Sequence, residues 1–168
     1  RVPLLTREGE VAIAKRIERG EKRVWAALSR SLIVARHVVE LGEQLEKGDR
    51  QIQQLVVLPD TDLTDRQIKN RTRRLLKNFG AVRDTLAELS RRESRATAAR
   101  KRYRKTSLKS KWRVLRARIE LSQTIRKFNF PRAIRQSFIE MVDTSWSTLR
   151  NAERKEELLT KDSQAPQS

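Results

Sequence analysis

From Ile68 to Ala96 the chain sets Ile68, Thr72, Leu75, Phe79, Val82, Leu86, Leu89, Glu93 and Ala96 at alternating steps of four and three. This is the spacing of one face of an α-helix that packs along its whole length. A strand, with its period of two, would scatter these residues over both faces. Thr64-Asp65-Arg66-Gln67 precedes the run as a capping box, in which the Thr hydroxyl accepts from a first-turn amide and Gln67 reaches back. If the helix reaches Arg104 it spans about 60 Å at ~1.5 Å per residue. With only 5 Gly and 4 Pro in 168 residues there are few places to break such helices. Abundant Arg, Leu, Ala, Glu and Lys favour them as well. The fold class expected is all-α.

Two further seams follow. Leu108, Trp112, Leu115, Ile119 and Ser122 form one, extended by Ile125 and Phe128. Asn129-Phe130-Pro131 ends that helix and starts the next, with Pro131 suited to a first turn. The third seam runs through Ile134, Phe138, Met141/Val142, Ser145/Trp146, Leu149 and Ala152. Three amphipathic helices with short connections predict an antiparallel bundle of long helices, preceded by two shorter N-terminal helices.

Towards the N-terminus, Thr6 reads as an N-cap, with Glu8 and Glu10 favourable in the first turn. The first helix is expected to run to about Arg19, with Gly20 as its stop. Val24, Leu28, Leu32, Ala35, Val38, Val39 and Leu45 then repeat at helical spacing until Gly48-Asp49. Residues 51–63 read as a short apolar segment and a loop at Pro59-Asp60-Thr61-Asp62, with a short buried strand over 55–58 as the alternative. The expected organisation is 1–48 (two N-terminal helices), 49–63 (apolar segment and loop), 64–161 (a basic three-helix bundle) and 162–168 (a polar tail).

Charge narrows the choice of partner. The chain carries 39 Lys+Arg against 21 Asp+Glu, a net +18. Residues 66–118 alone hold 20 bases and 3 acids, while the remaining 19 bases and 18 acids nearly balance. The densest stretch is Arg100-Lys101-Arg102-Tyr103-Arg104-Lys105, followed by Lys109, Lys111 and Arg113. Such a field repels itself and attracts polyanions, so DNA, RNA or an acidic protein surface is the partner class implied. A solvated helix face is the plainer alternative.

Composition argues against several chemistries. With no Cys there is no disulfide framework, thiolate zinc site or Cys nucleophile, which fits a reducing compartment. One histidine, His37, supports neither a His-based metal site nor a Glu-x-x-His bundle centre, and it reads as structural or surface. No Gly-rich phosphate loop is present, and the acids Glu8/Glu10 and Glu156/Glu157 sit apart on polar surface. No enzyme, metal or cofactor is expected. No apolar run approaches the ~20 residues of a membrane span, and no signal-peptide pattern opens the chain. Residue 1 is Arg, so the sequence reads as a piece of a longer protein. Trp25, Trp112 and Trp146 have the faces to stack on bases, but Trp112 and Trp146 fall on the seams and are expected in the core. Tyr103 is placed for stacking or cation–π contact within the basic run.

Val2-Pro3-Leu4-Leu5-Thr6-Arg7-Glu8-Gly9-Glu10-Val11-Ala12-Ile13-Ala14-Lys15-Arg16-Ile17-Glu18-Arg19-Gly20 resembles the C-terminal half of conserved region 1.2 of the housekeeping sigma factors of bacterial RNA polymerase, the sigma-70 family. The remainder is similar, more loosely, to the non-conserved helical insertion between regions 1.2 and 2.1, best at Arg74-Leu75-Leu76-Lys77-Asn78-Phe79, Arg83-Asp84-Thr85-Leu86, Phe128-Asn129-Phe130-Pro131 and Met141-Val142. The resemblance implies a non-catalytic parent that binds core RNA polymerase, recognises promoter DNA and melts it at the −10 element in the bacterial cytoplasm, associated with the nucleoid. It implies that Thr6-Arg7 and Lys15-Arg16 contact phosphate or pack on region 2. Regions 2.1 to 2.4, with the main DNA-reading and polymerase-binding residues, lie outside this sequence. The insertion is acidic in many members and basic here. Its basic face is therefore suited to DNA upstream of −10 or to an acidic patch on polymerase, with a spacer bundle lacking specific contacts as the alternative.

Together the candidate contact residues are Thr6, Arg7, Lys15, Arg16, Arg100, Lys101, Arg102, Tyr103, Arg104, Lys105, Lys109 and Lys111. Two competing readings are a stand-alone basic module that binds RNA or the ribosome and a coiled-coil protein that pairs with its own copy. The fragment is expected to be a monomer.

Overall fold

A computed structural model describes residues 6–58, 64–103 and 108–164 of the chain. Six helices run through them: α1 (Arg7–Leu28), α2 (Leu32–Lys47), α3 (Ile52–Leu55), α4 (Asp65–Tyr103), α5 (Leu108–Arg126) and α6 (Arg132–Gln164). No strand occurs among the described residues, so the fold is all-α as expected.

Helix α1 begins as its sequence dictates. The Thr6 hydroxyl accepts from the Gly9 amide at 3.2 Å, and Glu8 and Glu10 occupy the positive end. It does not stop at Gly20. Glycine within a helix costs only about 1 kcal/mol relative to alanine. A glycine stop also needs that glycine to turn left-handed, and among the described glycines only Gly48 has positive φ. The Glu18–Lys22 pair at 2.6 Å bridges the glycine instead. At Gly48 (φ 82°) α2 closes in a Schellman motif, where Asp49 donates to the Gln44 carbonyl at 2.9 Å and Gly48 to Leu45 at 3.3 Å. The apolar segment after it forms the single turn α3, which buries Ile52 and Leu55. Val56–Leu58 then run non-helically, and the Val57 amide donates to Asn129 at 3.1 Å. The expected loop at 59–62 lies outside the described residues.

The α4 seam is as the spacing predicts. Leu75, Phe79, Val82 and Leu89 are buried, and Ile68, Thr72, Leu86, Glu93 and Ala96 are half-buried. At its start the Thr64 amide donates to Gln67 Oε1 at 3.2 Å, the reach-back arm of the capping box. Its 39 residues span about 58 Å. Helix α4 lies between α2 and α5 and runs antiparallel to both. Gly42 meets Phe79, while Leu32 lies near Leu89. On the other side Phe79 meets Phe128 and Glu93 meets Arg118.

The α5 seam is corrected. Leu108, Trp112, Leu115 and Ile119 are exposed. Ser122, Ile125 and Phe128 of the expected seam are buried, but they are joined by Ala117 and Leu121, with Val114 packed against the core. Small residues let the α4 and α5 backbones approach, so the face with less apolar bulk is the one that packs. In α6 the expected seam holds through Ile134, Phe138, Met141, Val142 and Ser145. Trp146, Leu149 and Ala152 are exposed, because the helix outruns the elements it packs on, α2 and α1.

All four phenylalanines meet where the helices converge. Phe79 lies 4.7 Å from Phe128, which stacks on Phe130 at 5.1 Å. Phe138 meets Phe130 edge-on at 5.5 Å and stacks on Trp25 at 5.8 Å. Ser29 and Ser122 pair at 2.8 Å nearby, fully dry. Ser29 gives its proton to the Ala26 carbonyl at 3.0 Å, so Ser122 is the donor in the pair.

Gly42 marks the closest approach of α2 to α4. A Cβ there would lie 2.7 Å from Phe79 Cβ and 2.8 Å from Cγ. Gly42→Ala is therefore expected to destabilise by about 1–3 kcal/mol in urea unfolding, through overpacking. Gly80 has nothing within 4 Å of such a Cβ. Gly80→Ala is expected to stabilise by about 0.5–1 kcal/mol through helix propensity alone.

Candidate nucleic-acid and polymerase interface

The basic segment folds into the antiparallel pair of α4 and α5. Arg118 grips Glu93 at 2.6 Å, and Arg92 Nη1 donates to the Arg113 carbonyl at 3.5 Å. This register brings bases far apart in sequence together. Arg92, Arg95, Arg113 and Arg116 line one cleft of about 360 Å³ with Glu88, Ser110 and Val114. Glu88 receives Arg92 Nε at 2.8 Å. That hydrogen bond, with the charges of Arg92, Arg91 and Arg95, holds the Glu88 carboxyl below the usual carboxylate range despite some desolvation. Its contribution is therefore complete at neutral pH and is lost as pH falls through that lowered pKa.

The candidates at this end of the fold are exposed. Arg100, Lys101 and Arg102 form the last turn of α4, where cations complement the helix dipole. Tyr103 closes α4, its side chain outside the described set, and Arg104 and Lys105 lie outside the described residues. Lys109 and Lys111 stand exposed in the first turn of α5. Trp112, expected in the core, is 59% exposed and shares a surface depression with Lys109, Arg113 and Arg116. Trp146 is likewise exposed, whereas Trp25 packs on Phe130 and Phe138. The arginines of the cleft were the residues missed from sequence. They sit in the counted basic segment but come together only through the α4–α5 register.

The second group lies on α1. Thr6 spends its hydroxyl on the cap, Arg7 follows it, and Lys15 and Arg16 are exposed, with the Lys15 carbonyl accepting from Arg19 Nε at 3.1 Å. From Glu10 to Val24 every residue is exposed, including Val11, Ile13, Ile17 and Val24. Only the last part of α1, around Trp25, Leu28 and Ser29, enters the core. Ile13, Ile17, Gly20 and Val24 fall at steps of four, three and four, an exposed stripe that borders another helix only at Val24, beside Arg135 and Ile139 of α6.

Residues 1–23 match the model of the family described as Sigma-70 factor, region 1.2. That stretch is similar to sigma-70 region 1.2. Within the described residues the match falls on the exposed part of α1 and stops just before the helix becomes buried. The match covers 23 of the 168 residues and likens that segment to a part of the sigma factors of transcription initiation. Among the described residues no three His, Asp or Glu side chains are grouped to hold a metal ion, and no helix is long and apolar enough to cross a membrane. His37 donates to or accepts from Glu40 at 2.8 Å and sets its ring edge-on to Phe138 at 5.8 Å.

Proposed function

We propose that the chain is part of a sigma factor that directs RNA polymerase to promoters, where its parent binds and melts DNA in the bacterial cytoplasm at the nucleoid. The residues after the matched segment act as an accessory module whose basic side touches DNA or polymerase. One observation carries this reading: the sigma-70 match coincides with the stretch of α1 that leaves an apolar stripe and the Lys15-Arg16 pair without intramolecular cover. A helix of this kind is built to be completed by another surface. Thr6, Arg7, Lys15 and Arg16 serve that contact, Arg100, Lys101, Arg102, Tyr103, Arg104 and Lys105 serve the polyanion, and Lys109 and Lys111 serve DNA or polymerase.

Titration of the chain with labelled duplex DNA at two salt concentrations tests the accessory role. The expected result is weak binding, indifferent to sequence, with a steep loss of affinity as salt rises. Tight, salt-insensitive, sequence-specific binding would overturn it. Preference for structured RNA over duplex DNA would instead favour a ribosome- or RNA-associated module.

A further inference from the structure

Helix α5 has two apolar faces. Val114, Ala117, Leu121 and Ile125 turn towards α4 and the core. Leu108, Trp112, Leu115 and Ile119 line the opposite side at steps of four, three and four, and they are 72%, 59%, 47% and 57% exposed. At 100° per residue these four fall within one narrow stripe, directly away from α4. Four large apolar side chains in helix-pairing register are more than the scattered exposed residues of an ordinary surface.

We propose that this outer face of α5 docks an amphipathic helix of a partner protein whose apolar stripe is flanked by acidic residues. The charge around the stripe selects the partner. Lys109 and Arg116 border it on one side, and Lys111 and Arg118 on the other. Arg118 is engaged by Glu93, while Lys109, Lys111 and Arg116 make no ion pair among the described residues. A second copy of the chain would bring like charges against these flanks, which costs affinity and excludes wrong partners. A nucleic acid would satisfy the cations and could stack a base on Trp112, but it offers nothing apolar to cover Leu108, Leu115 and Ile119. An acidic amphipathic helix meets both requirements at once, with apolar anchors in the seam and carboxylates at the rim. The inference deepens the polymerase side of the function proposed above. It places protein contact on the outer face of α5 and leaves Arg100–Lys105 to the polyanion.

The test uses the full chain and two synthetic helical peptides of about three heptads with identical Leu/Ile stripes. One carries Glu at the flanking positions and the other Lys. By fluorescence anisotropy the Glu peptide is expected to bind at least about tenfold tighter than the Lys peptide, and Trp112→Gln with Leu115→Gln to weaken it by about tenfold or more. Helix content and melting temperature should not change in the double variant, because both residues are exposed. Equal binding of the two peptides, or full binding by the double variant, overturns the proposal. Concentration-dependent self-association that the double variant abolishes would assign the face to a second copy and also overturn it. Weaker duplex-DNA affinity in the double variant, without peptide binding by the original chain, would make the face a nucleic-acid surface and overturn it too. Absent peptide binding with DNA binding intact sinks this inference alone and leaves the accessory DNA role standing.

Discussion

Phe138→Ala is expected to lower the unfolding free energy by about 3–5 kcal/mol, the range for emptying a buried aromatic site. The ring is fully buried and touches groups from three separate parts of the chain: Trp25 of α1, His37 of α2 and Phe130 before α6. Truncation removes the transfer energy of the ring. It also leaves a cavity that these rigid neighbours cannot collapse to fill, since each is fixed by its own helix. Urea unfolding followed by circular dichroism should show a lower midpoint with an unchanged slope. Trp146→Ala, on the same helix two turns later, is the control. That side chain is 57% exposed and should change stability by no more than about 0.5 kcal/mol. Comparable destabilisation in the two variants would mean that the convergence of the phenylalanines is not what holds α6 in place.

Replacing Arg100, Lys101, Arg102, Arg104 and Lys105 together by Gln is expected to weaken duplex-DNA binding on the order of a hundredfold at low salt. It should also flatten the dependence of log affinity on log salt by up to about 4.5, at about 0.9 for each DNA phosphate left without its cation. Gln is a good helix former, and Arg100, Lys101 and Arg102 are exposed, so helix content should hold. An unchanged salt slope would place the polyanion contact elsewhere, and the cleft of Arg92, Arg95, Arg113 and Arg116 is then the next site to neutralise. Collapse of the helical signal would show that the cluster supports the fold rather than the interface.

The α4 seam was legible because that helix has one apolar side, from Ile68 to Ala96, and polar residues elsewhere. The α5 seam was legible only at its end, in Ser122, Ile125 and Phe128, because before them the helix has two apolar sides and residue bulk points to the wrong one. Leu108, Trp112, Leu115 and Ile119 outweigh Ser110, Val114, Ala117 and Leu121 in apolar volume. Close helix approach rewards the smaller set, and only the position of α4 decides between them. Trp146 and Leu149 continue the pattern of α6 correctly, but periodicity does not tell where the partner helices end. Gly20 shows the weakness of composition alone, since a glycine stops a helix only where the backbone turns left-handed, as at Gly48. Of the candidate interface, the positive charge was plain from counting. The arginine cleft needed the pairing of Glu93 with Arg118 to set its register.

The bare stretches of α1 and α6 have a kinetic consequence. An isolated helix of about 15 to 20 residues is marginal in water. The backbone amides of 10–24 and 146–164 should therefore open locally and exchange with solvent deuterium orders of magnitude faster than those near Phe79, whose exposure requires global unfolding. A surface that clamps either stretch would announce itself as slowed exchange confined to that stretch, with the phenylalanine-lined centre unaltered.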